Sequence, residues 1–361
     1  MRRFILIGAV LCALPFYAGA DTVRPAVGKP LLQAEVLMKK GDYHAALLKV
    51  NQASAVGGLT AYEGLVIAQV RGAAAAGAGD YIDAANSYQT VLAAGAQPQA
   101  TQTQLIQAIA GFYYQAADYP HAITWVNRYI EAQGDDPRTR ALLAQSYYQE
   151  GDYKDAEQAA WREQQAAQIT GEKLPEGELQ LLASSAEKSG DQVGYLAALE
   201  ALLTDYPSPQ YWTAAIDTVA ALPGFPDDLT IDVYRLRFAT GTLRAAGDYE
   251  DYAERAILAG QAAEAKQVID RGFASGILTA NTDAGHAARL RTLLAQDAST
   301  ASTPPADGLD AGIADFGAGN QQGAIAAFKS VPGYSDTASN NPAGALARLW
   351  MIRVENATAE K

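Results

Sequence analysis

The chain has 361 residues and a formal charge of −13, from 40 Asp and Glu against 27 Lys and Arg. That field repels phosphate backbones and anionic lipid, which argues against nucleic acid and against peripheral membrane binding. The length suffices for two domains or one elongated array with a substantial apolar core.

The N-terminus opens with a basic "MRR", continues with the apolar "FILIGAVLCALPF" and closes with "YAGA". This three-part layout predicts a bacterial secretory signal over residues 1–20, cleaved after Ala20. The apolar stretch is shorter than the roughly 20 residues that a spanning helix needs. Cleavage removes Arg2 and Arg3 and takes the formal charge to −15. The single cysteine, Cys12, lies in this segment behind Leu11 rather than a small residue, so a lipid anchor is the lesser reading. The mature chain then has no cysteine, hence no disulfide and no thiol nucleophile. No second long apolar run follows, so no membrane span is expected after cleavage.

From residue 21 to about 170 the chain repeats itself. "KGDYHAALLKV", "AGDYIDAANSY", "AADYPHAITWV" and "EGDYKDAEQAAW" share a Gly-Asp-Tyr mark, with Ala117 in place of the glycine once. The marks at Gly41, Gly79, Ala117 and Gly151 are 38, 38 and 34 residues apart, a period that signals stacked supersecondary units. Helical periodicity flanks each mark; around Gly151, Ala141, Ala144 and Tyr148 precede it on one face and Ala156, Ala160 and Glu163 follow. The mark itself reads as a helix stop at positive φ, a helix start capped by Asp and an aromatic plug. No sustained strand-like alternation occurs, so the fold class is all-α.

These residues resemble tetratricopeptide repeats. The Gly151 unit carries Ala144, Tyr147, Tyr153 and Ala156 at the family's marks, and the Ala117 unit carries Ala110, Tyr113, Tyr119 and Ala122. The Gly79 unit keeps Gly72, Tyr81 and Ala84 with Ala75 for the first Tyr; the Gly41 unit keeps Tyr43 and Ala46. The resemblance implies a right-handed superhelical solenoid of helix-turn-helix units.

Over 171–294 the pattern degenerates: "SGDQVGYLAALEALL", "AGDYEDYAERAI" and "AGQAAEAKQVIDRG" keep parts of it. Residues 295–310, with Pro304-Pro305, read as a linker or exposed loop. Residues 311–361 read as a helix pair from "AGNQQGAIAAFKSV" and a capping helix, "AGALARLWMIRV", apolar at Leu346, Leu349, Trp350 and Ile352.

Candidate chemistry is sparse. His44 and His121 occupy equivalent, exposed places at the start of second helices, and with His286 they read as surface residues rather than metal ligands. Asp135-Asp136, Asp227-Asp228 and the acidic run at 248–251 read as helix-start residues rather than calcium loops. No catalytic constellation, cofactor motif or metal site is read, and no enzyme is expected. The tetratricopeptide resemblance implies a concave groove lined by first helices. It assigns Gln104, Gln107, Gly111, Tyr114 and Gln115 of the third unit, and Arg138, Ala141, Gln145, Tyr148 and Gln149 of the fourth, to that lining. The alternative is that the glutamines are helix formers on a wetted face and the tyrosines interhelix packing.

Two functions follow as expectations. One is a periplasmic scaffold that holds a segment of another envelope protein in the groove. Within it, Tyr206-Pro207, Tyr211-Trp212 and the Asp232–Leu236 stretch make the C-terminal half similar to secreted tetratricopeptide proteins of TonB-type systems. The other is a polysaccharide- or peptidoglycan-associated assembly factor, whose Tyr/Gln lining meets glycan.

Overall fold

The computed structural model describes residues 22–95, 97–280, 285–296, 308–337 and 341–359. The signal segment at 1–20, with Cys12, and most of the 295–310 loop lie outside them. The described residues form helices and turns without strands, and the chain divides into two compact units between Leu174 and Pro175.

Unit 1 contains four antiparallel helix pairs: α1 (Pro25–Lys39) with α2 (Tyr43–Ser54), α3 (Ala61–Ala78) with α4 (Tyr81–Ala93), α5 (Gln99–Gln115) with α6 (Tyr119–Glu131), and α7 (Pro137–Glu150) with α8 (Tyr153–Thr170). Each pair packs on the next through its second helix, and first helices also meet directly, α1 with α3 and α5 with α7. This is the solenoid stacking implied by the repeat.

The Gly-Asp-Tyr mark works at each joint as its chemistry dictates. Gly41, Gly79 and Gly151 hold φ of 80°, 81° and 85°, and Ala117 takes the same left-handed turn at 58° despite its Cβ. The following Asp N–H then donates to the carbonyl five residues back: Asp42 to Leu37, Asp80 to Ala75, Asp118 to Tyr113 and Asp152 to Tyr147. Asp42, Asp80 and Asp118 carboxylates also accept from the N–H of Ala45, Asp83 and His121. Asp152 departs from the expectation, since its side chain makes no cap bond.

The tyrosines plug the joints. A Cβ on Gly77 of α3 would run into the Tyr43 ring, so "GAAAAGAGD" is small because an aromatic lies on it. Tyr81 stacks at 6.3 Å on Phe112 of the next unit, while Tyr119 and Tyr153 meet Tyr114 and Tyr148 edge-on at 5.7 and 5.3 Å.

The start of unit 1 is fastened by Arg24. Its Nε and Nη2 donate to Glu63 at 2.8 and 2.7 Å and its backbone N–H donates at 3.0 Å. Glu63 closes a capping box with Thr60 at the head of α3 and has no exposed side-chain surface. The Arg24 hydrogen bond, then the Thr60 backbone bond, hold its carboxyl at about 2, against an ordinary 4.5. A depressed acid contributes stability above its unfolded value and loses it as pH falls through the folded one. Thermal unfolding of the wild type should therefore weaken between pH 4.5 and about 2 more steeply than that of Glu63→Gln.

Unit 2 comprises α9 (Glu176–Ser189), α10 (Gln192–Asp205), α11 (Pro209–Ala220), a 3-10 turn (Asp227–Leu229), α12 (Thr230–Thr240), α13 (Ala246–Leu258), α14 (Ala262–Ala274), α15 (His286–Gln296), α16 (Gly308–Gly317), α17 (Gln321–Ser330) and α18 (Pro342–Ala359). Helices α9/α10, α13/α14 and α16/α17 form three further hairpins. Gly190-Asp191 and Gly319-Asn320 repeat the turn-and-cap device.

Two sequence expectations are corrected here. "AGDYEDY" is not a joint: Ala246 already begins α13, and Gly247, Asp248 and Tyr249 form its first turn. The helix read as a cap, α18, instead packs on α10, α11, α12, α16 and α17. Its Leu346, Leu349, Trp350 and Ile352 are buried, as are Ala345, Ala347, Met351 and Val354 on its other sides. A helix apolar all round is a central helix, not an end cap.

Candidate functional site

The residues assigned to the groove separate into two groups. Gln104, Gln115, Arg138 and Gln149 are exposed and Gln145 is half-buried, and their side chains make no bond to the other described residues. At 1.5 Å rise per residue, Gln104 to Gln115 on α5 and Arg138 to Gln149 on α7 each span about 16 Å. The two rows lie on first helices in mutual contact.

The other three are used inside the array. Gln107 donates through Nε2 to Asp136 Oδ2 at 2.7 Å and Thr139 Oγ1 at 2.9 Å, which ties α5 to the head of α7. Tyr114 and Tyr148 form T-shaped pairs with Tyr119 and Tyr153. Burial, followed by the neighbouring Tyr119, pushes the Tyr114 hydroxyl above its ordinary value. The accessible lining is thus mainly carboxamide, with one guanidinium at Arg138. Gly111 and Ala141, also assigned to it, are buried.

Unit 2 holds a concavity that the sequence did not announce. A cavity of about 960 Å³ is lined by residues of the 3-10 turn and of α12, α13, α14, α16 and α18. On its floor Arg235 reaches three carboxylates: Asp232 at 2.8 Å, Glu264 at 2.8 and 2.9 Å, and Asp310 at 2.7 Å. Burial works against the charge on Arg235, but the Glu264 hydrogen bonds and the charges of Glu264 and Asp232 outweigh it and hold the guanidinium above its ordinary value. Tyr252 donates to Glu264 at 2.6 Å, and burial first, then the Glu264 charge, keep its phenol protonated. At the walls, Arg271 lies 5.1 Å over Phe238 and Arg353 lies 5.8 Å over Phe316. Four lining carboxylates, counting Asp228, face three guanidiniums, so the charges nearly cancel and favour neither anion nor cation.

The histidines do not converge. His44 and His121 are exposed, and His121 Nδ1 contacts its own helix cap, Asp118, at 2.8 Å. His286 is half-buried, between Glu250 and Glu254. Among the described residues no group of three or more His, Cys, Asp or Glu could hold a metal ion, and no helix is long and apolar enough to cross a membrane.

No protein-family model matches the chain. No curated protein matches it either. Among solved structures, the TPR2AB domain of yeast Sti1 in its pHSP90 complex is 15% identical over 75% of this chain and 98% of its own, with a TM-score of 0.36. The P58(IPK) TPR domain is 15% identical over 92% of this chain and 98% of its own, with a TM-score of 0.31.

Proposed function

We propose that the protein is a secreted, non-enzymatic scaffold that holds an extended segment of another envelope protein on the first-helix face of unit 1. The observation that carries this is the double row of side chains on α5 and α7, Gln104 and Gln115 beside Arg138, Gln145 and Gln149, which are unbonded within the described chain. A carboxamide both donates and accepts, so such rows suit the alternating N–H and C=O groups of a peptide backbone. A glycan would also use amides, but stacking needs open ring faces, and Tyr114 and Tyr148 are half-buried against Tyr119 and Tyr153.

The narrower form of the proposal, an accessory of a TonB-type system in the periplasm, rests on the resemblance of the C-terminal half. Several residues that carry it, Tyr211, Trp212, Asp232, Val233 and Leu236, are buried in unit 2, so they support its fold rather than present a surface to a partner.

In-cell crosslinking from a photoreactive residue at position 149, with mass spectrometry of the adduct, tests the proposal. One recurrent envelope polypeptide is expected. A variant with Gln104, Gln115 and Gln145 changed to Ala, the photoreactive residue kept at position 149, should lose it by about tenfold or more, at about 1 kcal/mol per lost hydrogen bond, with the helical circular dichroism unchanged. Undiminished capture by that variant would remove the site from this face, and adducts of glycan alone would move the function to polysaccharide assembly.

A further inference from the structure

The cavity of unit 2 is nearly balanced in charge as a whole, but its charges are unevenly used. Three of its four carboxylates, Asp232, Glu264 and Asp310, are gathered on Arg235. Two charged side chains of the lining, Asp228 and Arg271, make no hydrogen bond or ion pair with the other described residues. They stand on opposite sides of Arg235 along α12. Arg235 meets Glu264, and Phe238, three residues on, lies under Arg271, seven residues on along α14. The two helices therefore run the same way, while Asp228 precedes Arg235 by seven residues. From Asp228 to Phe238 is ten residues, about 15 Å at the helical rise.

We propose that this cavity binds a free short peptide as a zwitterion, with its ammonium at Asp228 and its carboxylate at Arg271. An extended chain advances about 3.3 Å per residue, so about four residues bridge the two charges. Arg353 brings a second guanidinium to the carboxylate end, since its Nε donates to the Ala239 carbonyl at 3.1 Å, one residue beyond Phe238. A segment inside a longer chain, or a neutral glycan, has no charge to place at either end.

The lining between these ends suits a peptide backbone. The side chains of Gln261 and Gln267 make no bond to the other described residues, so each offers a donor and an acceptor. Trp350 also lines the cavity, is 2% exposed, and its Nε1–H has no acceptor among the described residues. A buried indole N–H ordinarily has a partner, and a peptide carbonyl supplies one. Ile231, Val268 and Ile313 give the peptide's side chains apolar surface. The volume, about 960 Å³, is that of a small-ligand site. The site lies wholly within unit 2, so it does not rest on the reading of unit 1.

Isothermal titration of the full chain with the free tetrapeptide Ala-Leu-Leu-Ala at low ionic strength tests this. A dissociation constant of about 1 mM or tighter is expected. Asp228 and Arg271 are exposed, so Asp228→Asn and Arg271→Gln leave the fold intact, and each should weaken binding of the free peptide by about threefold or more. The C-terminal amide of the peptide should bind Arg271→Gln and the wild type alike, and the N-acetyl form should bind Asp228→Asn and the wild type alike. Binding weaker than about 1 mM, equal affinity for the free and the doubly capped peptide, or a loss in Arg271→Gln that persists with the amide overturns the proposal. Binding of maltotetraose in place of the peptide also overturns it and makes the cavity a glycan site.

Discussion

Arg235→Met should destabilise unit 2 by about 3–5 kcal/mol, the range for removal of one partner from a buried ion pair. Arg235 is 11% exposed on its side chain, and Asp232 and Glu264 beside it are 7% and 22% exposed, so solvent cannot take over the lost charge. Asp310, at 38%, is the partner best placed to recover by hydration. Lysine should rescue little. The Nε and Nη2 pair forms a fork on Glu264 while Nη1 serves Asp232 and Asp310, and a single ammonium cannot reproduce three directions. If charge is the cause, Asp232→Asn with Glu264→Gln should restore most of the stability lost in Arg235→Met. Urea unfolding followed by hydrogen exchange over α12–α14 gives these differences. A loss in Arg235→Met below about 1 kcal/mol would mean that the floor of the cavity is far wetter than its burial indicates.

The same arginine shows where reading the chain stops. The joints of unit 1 were legible because each is local: a residue with positive φ, an Asp whose N–H bonds the chain five residues behind and which at three of the four joints also caps three residues ahead, and a Tyr directly after it. Arg235 was quoted only as part of a resemblance, because its partners Glu264 and Asp310 lie 29 and 75 residues away. Nothing in local spacing points to them. Gln107 is a similar case, since a good helix former on a nominal groove position turns instead to Asp136 and Thr139 across the next pair. Gly247-Asp248-Tyr249 misled for the opposite reason. The composition of a joint is present, but Leu243, Tyr249 and Tyr252 are buried in one cluster, and that packing draws the mark into the first turn of α13. The all-round apolarity of α18 was visible in "ALARLWMI", yet at the end of a repeating chain it invites the reading of a cap.

Arg348 gives the clearest test of that central helix. Its Nε donates to Glu200 of α10 at 2.8 Å, with 10% and 14% of the two side chains exposed, and Asn356 adds a bond from α18 to the Leu203 carbonyl at 3.1 Å. Burial pushes the Glu200 carboxyl above its ordinary value despite the opposing charge and hydrogen bond of Arg348. An acid raised in the folded state favours folding while protonated, and that contribution is lost as pH rises through the folded value. The ionised pair at neutral pH is therefore tolerated by α18 rather than responsible for its attachment. Arg348→Met alone should cost about 3–5 kcal/mol at pH 7, because Glu200 is left buried and charged, and less near pH 4, where Glu200 takes up a proton. Glu200→Leu with Arg348→Met should match or exceed the wild type, as apolar replacements of buried pairs do by about 1–4 kcal/mol. The double-mutant cycle separates the two contributions. A double variant as unstable as the single one would show that the pair itself fixes α18 against α10, and that the apolar contacts of Leu346, Leu349 and Trp350 do not suffice to seat it.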